Sequence, residues 1–151
     1  MKKINVSWDQ FYEDCKVLAY NIKKSLSGEY DSILAISRGG VIVAGVLSYL
    51  LNIKNIYTIN ISSYNEDNIQ NKIILKNINV PVNFNFNTCL IIDDIFDSGN
   101  TFKKISKILR DDYDYNLEIC GTLYSRFFHT NVISSKILND TNVWIEFPWD
   151  M

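Results

Sequence analysis

Proline and glycine are scarce in this chain, at 2 and 6 among 151 residues. That scarcity excludes a fibrous or low-complexity polymer, and 47% hydrophobic against 21% charged residues fits a packed globular domain. Cysteine is sparse too. Cys15, Cys89 and Cys120 are odd in number and widely spaced, which argues against a disulfide framework or a zinc site. Cys89 and Cys120 sit in apolar runs, so all three are expected to be reduced core thiols in a cytosolic protein. His129 is the only histidine and has no Ser-His-Asp set around it, so it reads as a polar loop residue. Charge of neither sign dominates: a net charge of -2 lacks the basic footprint of a nucleic-acid binder. A helix N-terminus can still hold phosphate without a basic surface. No apolar run is long enough for an integral membrane segment, and the start of the chain has no apolar signal core. A soluble, cytoplasmic protein is expected.

The length suits one domain, 1–151, able to bury roughly 70% of its unfolded surface. Ser7-Trp8-Asp9-Gln10 has the form of a capping box. Phe11, Cys15, Leu18, Ala19, Ile22 and Leu26 then recur with helical period up to Gly28. Ser32–Ile36 reads as a short buried strand, Val41–Leu51 as a buried helix and Ile56–Ile61 as a second strand. Ser62 to Asn85 is polar and reads as mobile, with Lys72–Leu75 able to pair as a short strand. Thr88–Ile92 is the clearest strand, Asp93–Asn100 a loop, Thr101–Arg110 a helix and Leu117–Tyr124 a further strand. Alternating strands and helices predict an α/β fold: a mainly parallel sheet with helices on both faces. Ligands of such sheets bind beyond the carboxyl ends of the strands. The loops Ser37–Gly40 and Asp93–Thr101 both follow strands and should meet there.

The segment Ile91-Ile92-Asp93-Asp94-Ile95-Phe96-Asp97-Ser98-Gly99-Asn100-Thr101 carries the chemistry. Adjacent carboxylates at the end of a buried strand repel each other and need compensation. Mg²⁺ suits them, since it takes one or two carboxylates plus substrate oxygens. Gly99 lets the backbone close around an oxyanion, and free amides of the first helical turn, with the Ser98 and Thr101 hydroxyls, supply donors. Alone, Asp93 and Asp94 would pass for turn acids and Asp97 or Ser98 for a helix cap. The whole string resembles the signature of type I phosphoribosyltransferases. That resemblance implies that Asp93 and Asp94 hold the ribose hydroxyls of phosphoribosyl pyrophosphate, directly or through Mg²⁺. It implies that Asp97, Ser98, Gly99, Asn100 and Thr101 cradle the 5′-phosphate, and that Asp97 is the catalytic proton acceptor beside the base.

Three further segments bear on the resemblance. Ser37-Arg38-Gly39-Gly40 breaks a strand and opens a helix, and is similar to the family's pyrophosphate-binding loop. Ser62-Ser63-Tyr64 opens the polar stretch, where similar enzymes carry a flexible flap that excludes water. Val143-Trp144-Ile145-Glu146-Phe147-Pro148-Trp149-Asp150-Met151 is an aromatic tail that, taken alone, reads as core or subunit contact. With the Ser-Ser-Tyr and Ser-Arg-Gly-Gly segments, it resembles bacterial xanthine-guanine phosphoribosyltransferases. There it implies a short C-terminal hood in which Trp144 and Ile145 line the base pocket. Arg126 stands where that family has a lysine facing the purine 6-oxo group, and an arginine is larger and forked. Relatives also continue past Met151 with an apolar tail.

The implied activity is Mg²⁺-dependent transfer of a phosphoribosyl group to guanine, xanthine or hypoxanthine in purine salvage. The implied partners are small-molecule substrates, with no nucleic acid, in a homo-oligomer (dimer or tetramer). The alternative is a non-catalytic regulator of the same fold that binds nucleotide or RNA. A phosphoryl-accepting signalling domain also carries paired acids at strand ends, but leaves Ser98-Gly99-Asn100-Thr101 unexplained.

Overall fold

The chain opens with the exposed strand β1 (Lys2–Asn5) and enters helix α1 (Trp8–Ser25) at Ser7. Ser7 caps the helix as expected, its Oγ accepting from the Gln10 N–H at 3.1 Å. The reciprocal half of the capping box is replaced: the Gln10 side chain donates forward to Asp14 Oδ1 at 2.9 Å. Phe11, Cys15, Leu18, Ala19 and Ile22 form the buried face. The computed structural model describes residues 1–25, 30–64, 72–115, 119–140 and 142–150. Leu26 and Gly28, where the sequence ends this helix, lie outside the described residues.

Strand β2 (Ser32–Ser37) is buried over its first five residues, and α2 (Gly39–Leu50) follows almost at once. Strands β3 (Asn55–Tyr64) and β4 (Lys72–Asn79) pair antiparallel. Then come β5 (Cys89–Phe96), α3 (Asn100–Tyr113), β6 (Cys120–Ser125), β7 (Val132–Ile137) and β8 (Val143–Glu146). The main sheet has the order β4-β3-β2-β5-β6-β7, parallel except for β4. One core cluster joins α1 and α2 to Ile33, Ala35, Leu90 and Ile92. The other joins Ile105 and Leu109 of α3 to Leu34, Ile36 and Ile91. Neighbouring strand residues thus serve opposite faces, and helices cover both, as the alternating pattern predicts.

The structure corrects two boundaries that matter for the site. Asp93 and Asp94 are not in a loop. Strand β5 continues through them to Phe96, because β6 pairs with it from Ile91↔Cys120 to Phe96↔Ser125. Ser62, Ser63 and Tyr64 are not in a loop either. They end β3, paired with Ile74, Ile73 and Lys72 of a full-length β4. Residues 65–71, the rest of the expected flap opening, lie outside the described residues. Strand β7 and the β1–β8 ribbon were not legible in the sequence. The ribbon is parallel, and its Val143 and Ile145, with Phe147 beyond it, join the α1–α2 core. The C-terminal segment is thereby seated on that face.

Chain order runs outward from β2 to β3 and β4, then restarts on the other side of β2 with β5, β6 and β7. The direction of travel reverses between β2 and β5. Two adjacent parallel strands that feed helices in opposite directions leave a crevice at their carboxyl ends. The Ser37–Arg38 turn leaves β2 there, and the Asp97–Gly99 turn leaves β5 there.

Candidate active site

A cavity of about 540 Å³ opens at that crevice. It is lined by Ser37, Arg38 and Gly39 after β2, by Asp93 to Gly99 along β5 and its turn, and by Thr101 and Phe102 of α3. Trp149 and Asp150 of the tail close one side. Helices α2 and α3 both begin at this edge, so two helix N-termini face one space. The unpaired amides of a first helical turn, and the dipole behind them, favour anionic groups there.

Gly99 precedes α3 with φ +84°, a left-handed conformation that favours glycine. As the residue before the helix, Gly99 accepts the first α-helical hydrogen bond of α3, from Lys103 N–H at 3.0 Å. Ser98 Oγ accepts from the Asn100 N–H at 3.3 Å. Gly39 and Gly40 have another reason to be small. A Cβ on Gly39 would lie 1.9 Å from Asp94 Oδ2, and one on Gly40 would lie 2.6 Å from the Ile92 carbonyl oxygen. These glycines admit the β5 strand end itself, so the loop and the acid pair are in direct contact. The Ser37–Arg38 peptide is cis.

Although the acids are consecutive in a strand, their carboxyl groups interact with each other and both line the cavity. Asp94 lies against Gly39, within electrostatic reach of Asp150. Asp93 pairs across to Thr122 and lies near Cys120 on the α3 side. Each carboxylate accepts from the amide that follows it, Asp94 N–H to Asp93 Oδ1 at 2.9 Å and Ile95 N–H to Asp94 Oδ1 at 2.8 Å. Burial first, then repulsion from Asp94, pushes the Asp93 pKa well above the usual carboxylate range. Burial also raises that of Asp94, against hydrogen bonds that lower it. Such a pair calls for positive charge. Among the described residues, no group of three or more His, Cys, Asp or Glu is arranged to hold a metal. Asp93 and Asp94, both lining the cavity, are the two carboxylates that could hold a Mg²⁺ whose shell is completed by substrate oxygens.

Asp97 is turned toward β6. Arg126 Nε donates to Asp97 Oδ1 at 2.6 Å, and Nη1 of the same guanidinium donates to the Val143 carbonyl at 2.8 Å. Of the other expected site residues, Gly40 and Asn100 sit just behind the lining. Trp144 points outward from β8 and is 53% exposed, while Ile145 is buried in the core. Neither of those two side chains lines the cavity. Trp149 lines it instead, stacked on Phe147 at 4.7 Å, which in turn stacks on Tyr124 at 5.8 Å. A turn in which Asp150 Oδ2 accepts from Phe147 N–H folds the tail back to this place. The Pro148-Trp149-Asp150 string was the only hint of it in the sequence. His129 is a loop residue, its Nδ1 accepting from Asn131 N–H and its ring beside Phe96 and Phe102.

This geometry can be set beside known proteins. Xanthine-guanine phosphoribosyltransferase of Cereibacter sphaeroides is 31% identical, covering 99% of this chain and 88% of that one. In structure, Helicobacter pylori xanthine-guanine-hypoxanthine phosphoribosyltransferase superposes with a TM-score of 0.80 at 24% identity, over 99% of this chain and 94% of the other. A purine phosphoribosyltransferase of Pyrococcus horikoshii gives 0.74 at 23%, over 100% and 96%. The family model of the phosphoribosyl transferase domain matches residues 7–150. A crevice at the sheet's reversal point, walled by two helix N-termini and an acid pair, thus lies in a chain that belongs to the phosphoribosyl transferase domain family.

Proposed function

We propose that the protein is a Mg²⁺-dependent purine phosphoribosyltransferase, moving the 5-phosphoribosyl group of phosphoribosyl pyrophosphate to guanine, xanthine or hypoxanthine with release of pyrophosphate. One observation carries this reading: a single cavity joins the Ser37–Gly39 turn, the Asp93–Asp94 pair and the Asp97–Thr101 turn. A substrate with phosphate at both ends of a pentose requires two anion seats separated by groups that accept from sugar hydroxyls. The named activity of the Cereibacter relative agrees with it.

In this reading the turn from Asp97 to Thr101 binds the 5′-phosphate, with Asn100 contributing backbone. Ser37, Arg38, Gly39 and Gly40 form the diphosphate seat, and Arg38 supplies its cation. Asp93 and Asp94 accept from the ribose hydroxyls and would hold Mg²⁺, which when bound neutralises charge on the departing diphosphate. The bond from the anomeric carbon to pyrophosphate breaks, a bond to a purine ring nitrogen forms, and the proton on that base passes to Asp97. The protein's contribution is alignment and charge stabilisation. Arg126 and the Trp144–Ile145 backbone border the base, and Ser62, Ser63 and Tyr64 at the end of β3 belong to the flap. Cytoplasmic purine salvage by a homo-oligomer (dimer or tetramer) is the setting this reading implies.

The test is direct. The protein is incubated with phosphoribosyl pyrophosphate, Mg²⁺ and each purine in turn, and pyrophosphate release is followed. Base-dependent release with a 6-oxopurine is expected. No release with any base, together with nucleotide or RNA binding that weakens with salt, would replace the enzyme by a regulator of the same fold.

A further inference from the structure

The Arg126 guanidinium ties together three segments distant in sequence. The Arg126 backbone N–H donates to the Phe96 carbonyl at 2.9 Å, which pins the end of β6 to the end of β5. From that fixed base the side chain reaches Asp97 through Nε and the Val143 carbonyl through Nη1. Its exposure is 12%, against 66% for Asp97. The arginine is thus the anchored partner, and the acid is the part held out toward the cavity. A planar fork fixed at two donor positions has little freedom left, and its remaining N–H groups point in set directions.

We propose that Arg126 is a positioning residue that couples the seating of the base to the placement of Asp97. This rests on the reading of the cavity as a purine phosphoribosyltransferase site. The Val143 carbonyl belongs to β8, the strand that carries the base-pocket backbone, and Asp97 belongs to the turn that would take the base proton. One rigid group holds both, so a shift of the hood on β8 is transmitted to the acid. A lysine cannot do this, because its ammonium is a point charge on a flexible stem and has no fork to hold two acceptors at a fixed separation. The Val143 tether distinguishes this arrangement from a cation that merely donates to the base.

The experiment is a double-mutant cycle of wild type, R126K, D97N and R126K/D97N, with hypoxanthine and phosphoribosyl pyrophosphate varied separately. Asn at position 97 keeps an oxygen for Arg126 Nε to reach, while removing the proton acceptor. R126K is expected to lower kcat by roughly 10- to 100-fold through misplacement of Asp97. In the D97N background the same change should cost no more than about twofold, because the group it acts through has been removed. The KM for phosphoribosyl pyrophosphate should hold in R126K. Equal losses from R126K in both backgrounds, or an R126K enzyme with wild-type kcat, would overturn the coupling. Circular dichroism and thermal melts of each variant separate misfolding from mispositioning. If a variant misfolds, R126Q and the Nε–H resonance of Arg126 in wild type decide: a resonance exchanging as fast as a free guanidinium refutes the brace. A wild type inactive with every base refutes the underlying reading, whatever the variants do.

Discussion

At the scale of single residues, the site sets two carboxylates with different tasks beside a third. Asp97 is exposed and held by Arg126, while Asp93 is sunk beside Thr122 and destabilised by burial and by Asp94. Asp97→Asn is expected to lower kcat by about 100-fold or more, with little change in affinity for phosphoribosyl pyrophosphate. Steady-state kinetics with each substrate varied will check this, and an unchanged turnover would remove Asp97 from the chemistry. Asp93→Asn removes a buried charge that is unfavourable in the free protein. Thermal unfolding should show the ligand-free variant more stable by about 0.5–2 kcal/mol at neutral pH, with activity lost. Stability that falls instead would mean that the Asp93 carboxylate supports the fold.

At the scale of elements, the strand–turn–helix units decide where those residues point. Gly39 and Gly40 separate two kinds of failure. Gly39→Ala meets the movable carboxylate of Asp94, so the protein should fold and lose activity. Gly40→Ala meets the fixed carbonyl of Ile92, so it should cost about 1–3 kcal/mol of stability, read as a lowered melting temperature. Equal melting temperatures for the two would contradict the distinction. The helices and the buried strands were legible because their patterns are strong. Val43, Ala44 and Leu47 of α2 and Leu90, Ile91 and Ile92 of β5 are apolar, and the structure buries all six. The end of β5 was illegible, because Asp93 and Asp94 read as loop residues unless the partner β6 is known. Strand β7, Val-Ile-Ser-Ser-Lys-Ile, carries too little apolar alternation to announce itself. The acid turn stood out through its whole string from Asp93 to Thr101, which resembles the family signature, and not through any one residue type. The outward set of Trp144 and the inward set of Trp149 depend on the β1–β8 pairing and on a turn closed by Asp150.

At the scale of the whole molecule, the substrate should behave as a structural cross-link between the two halves of the sheet. Phosphoribosyl pyrophosphate with Mg²⁺ should raise the melting temperature more than either alone, rising with concentration as binding to the native state requires. Excess chelator should reduce the shift to that of phosphoribosyl pyrophosphate alone, and a shift indifferent to chelator would argue against Mg²⁺. The core thiols give a second global readout. Burial pushes Cys15 and Cys89 up to about 12 from an ordinary 9.0, and drives Cys120 up too. A folded pKa above the unfolded one means that this stability is intact below pH 9 and fades as pH climbs toward 12. Melting temperatures between pH 8 and 11 should fall, and a thiol reagent at pH 8 should label the native protein far more slowly than the unfolded chain.

The reversal of chain direction between β2 and β5 has a consequence for biosynthesis. The first wall of the crevice leaves the ribosome early, but its counterpart arrives only after a helix and a whole hairpin have been made. On the proposed reading of the site, the nascent polypeptide gains its grip on a phosphorylated sugar only when β5 docks beside β2. Capture of a fluorescent substrate analogue during refolding would therefore time the closing of the sheet's centre, as distinct from the earlier gain of helix.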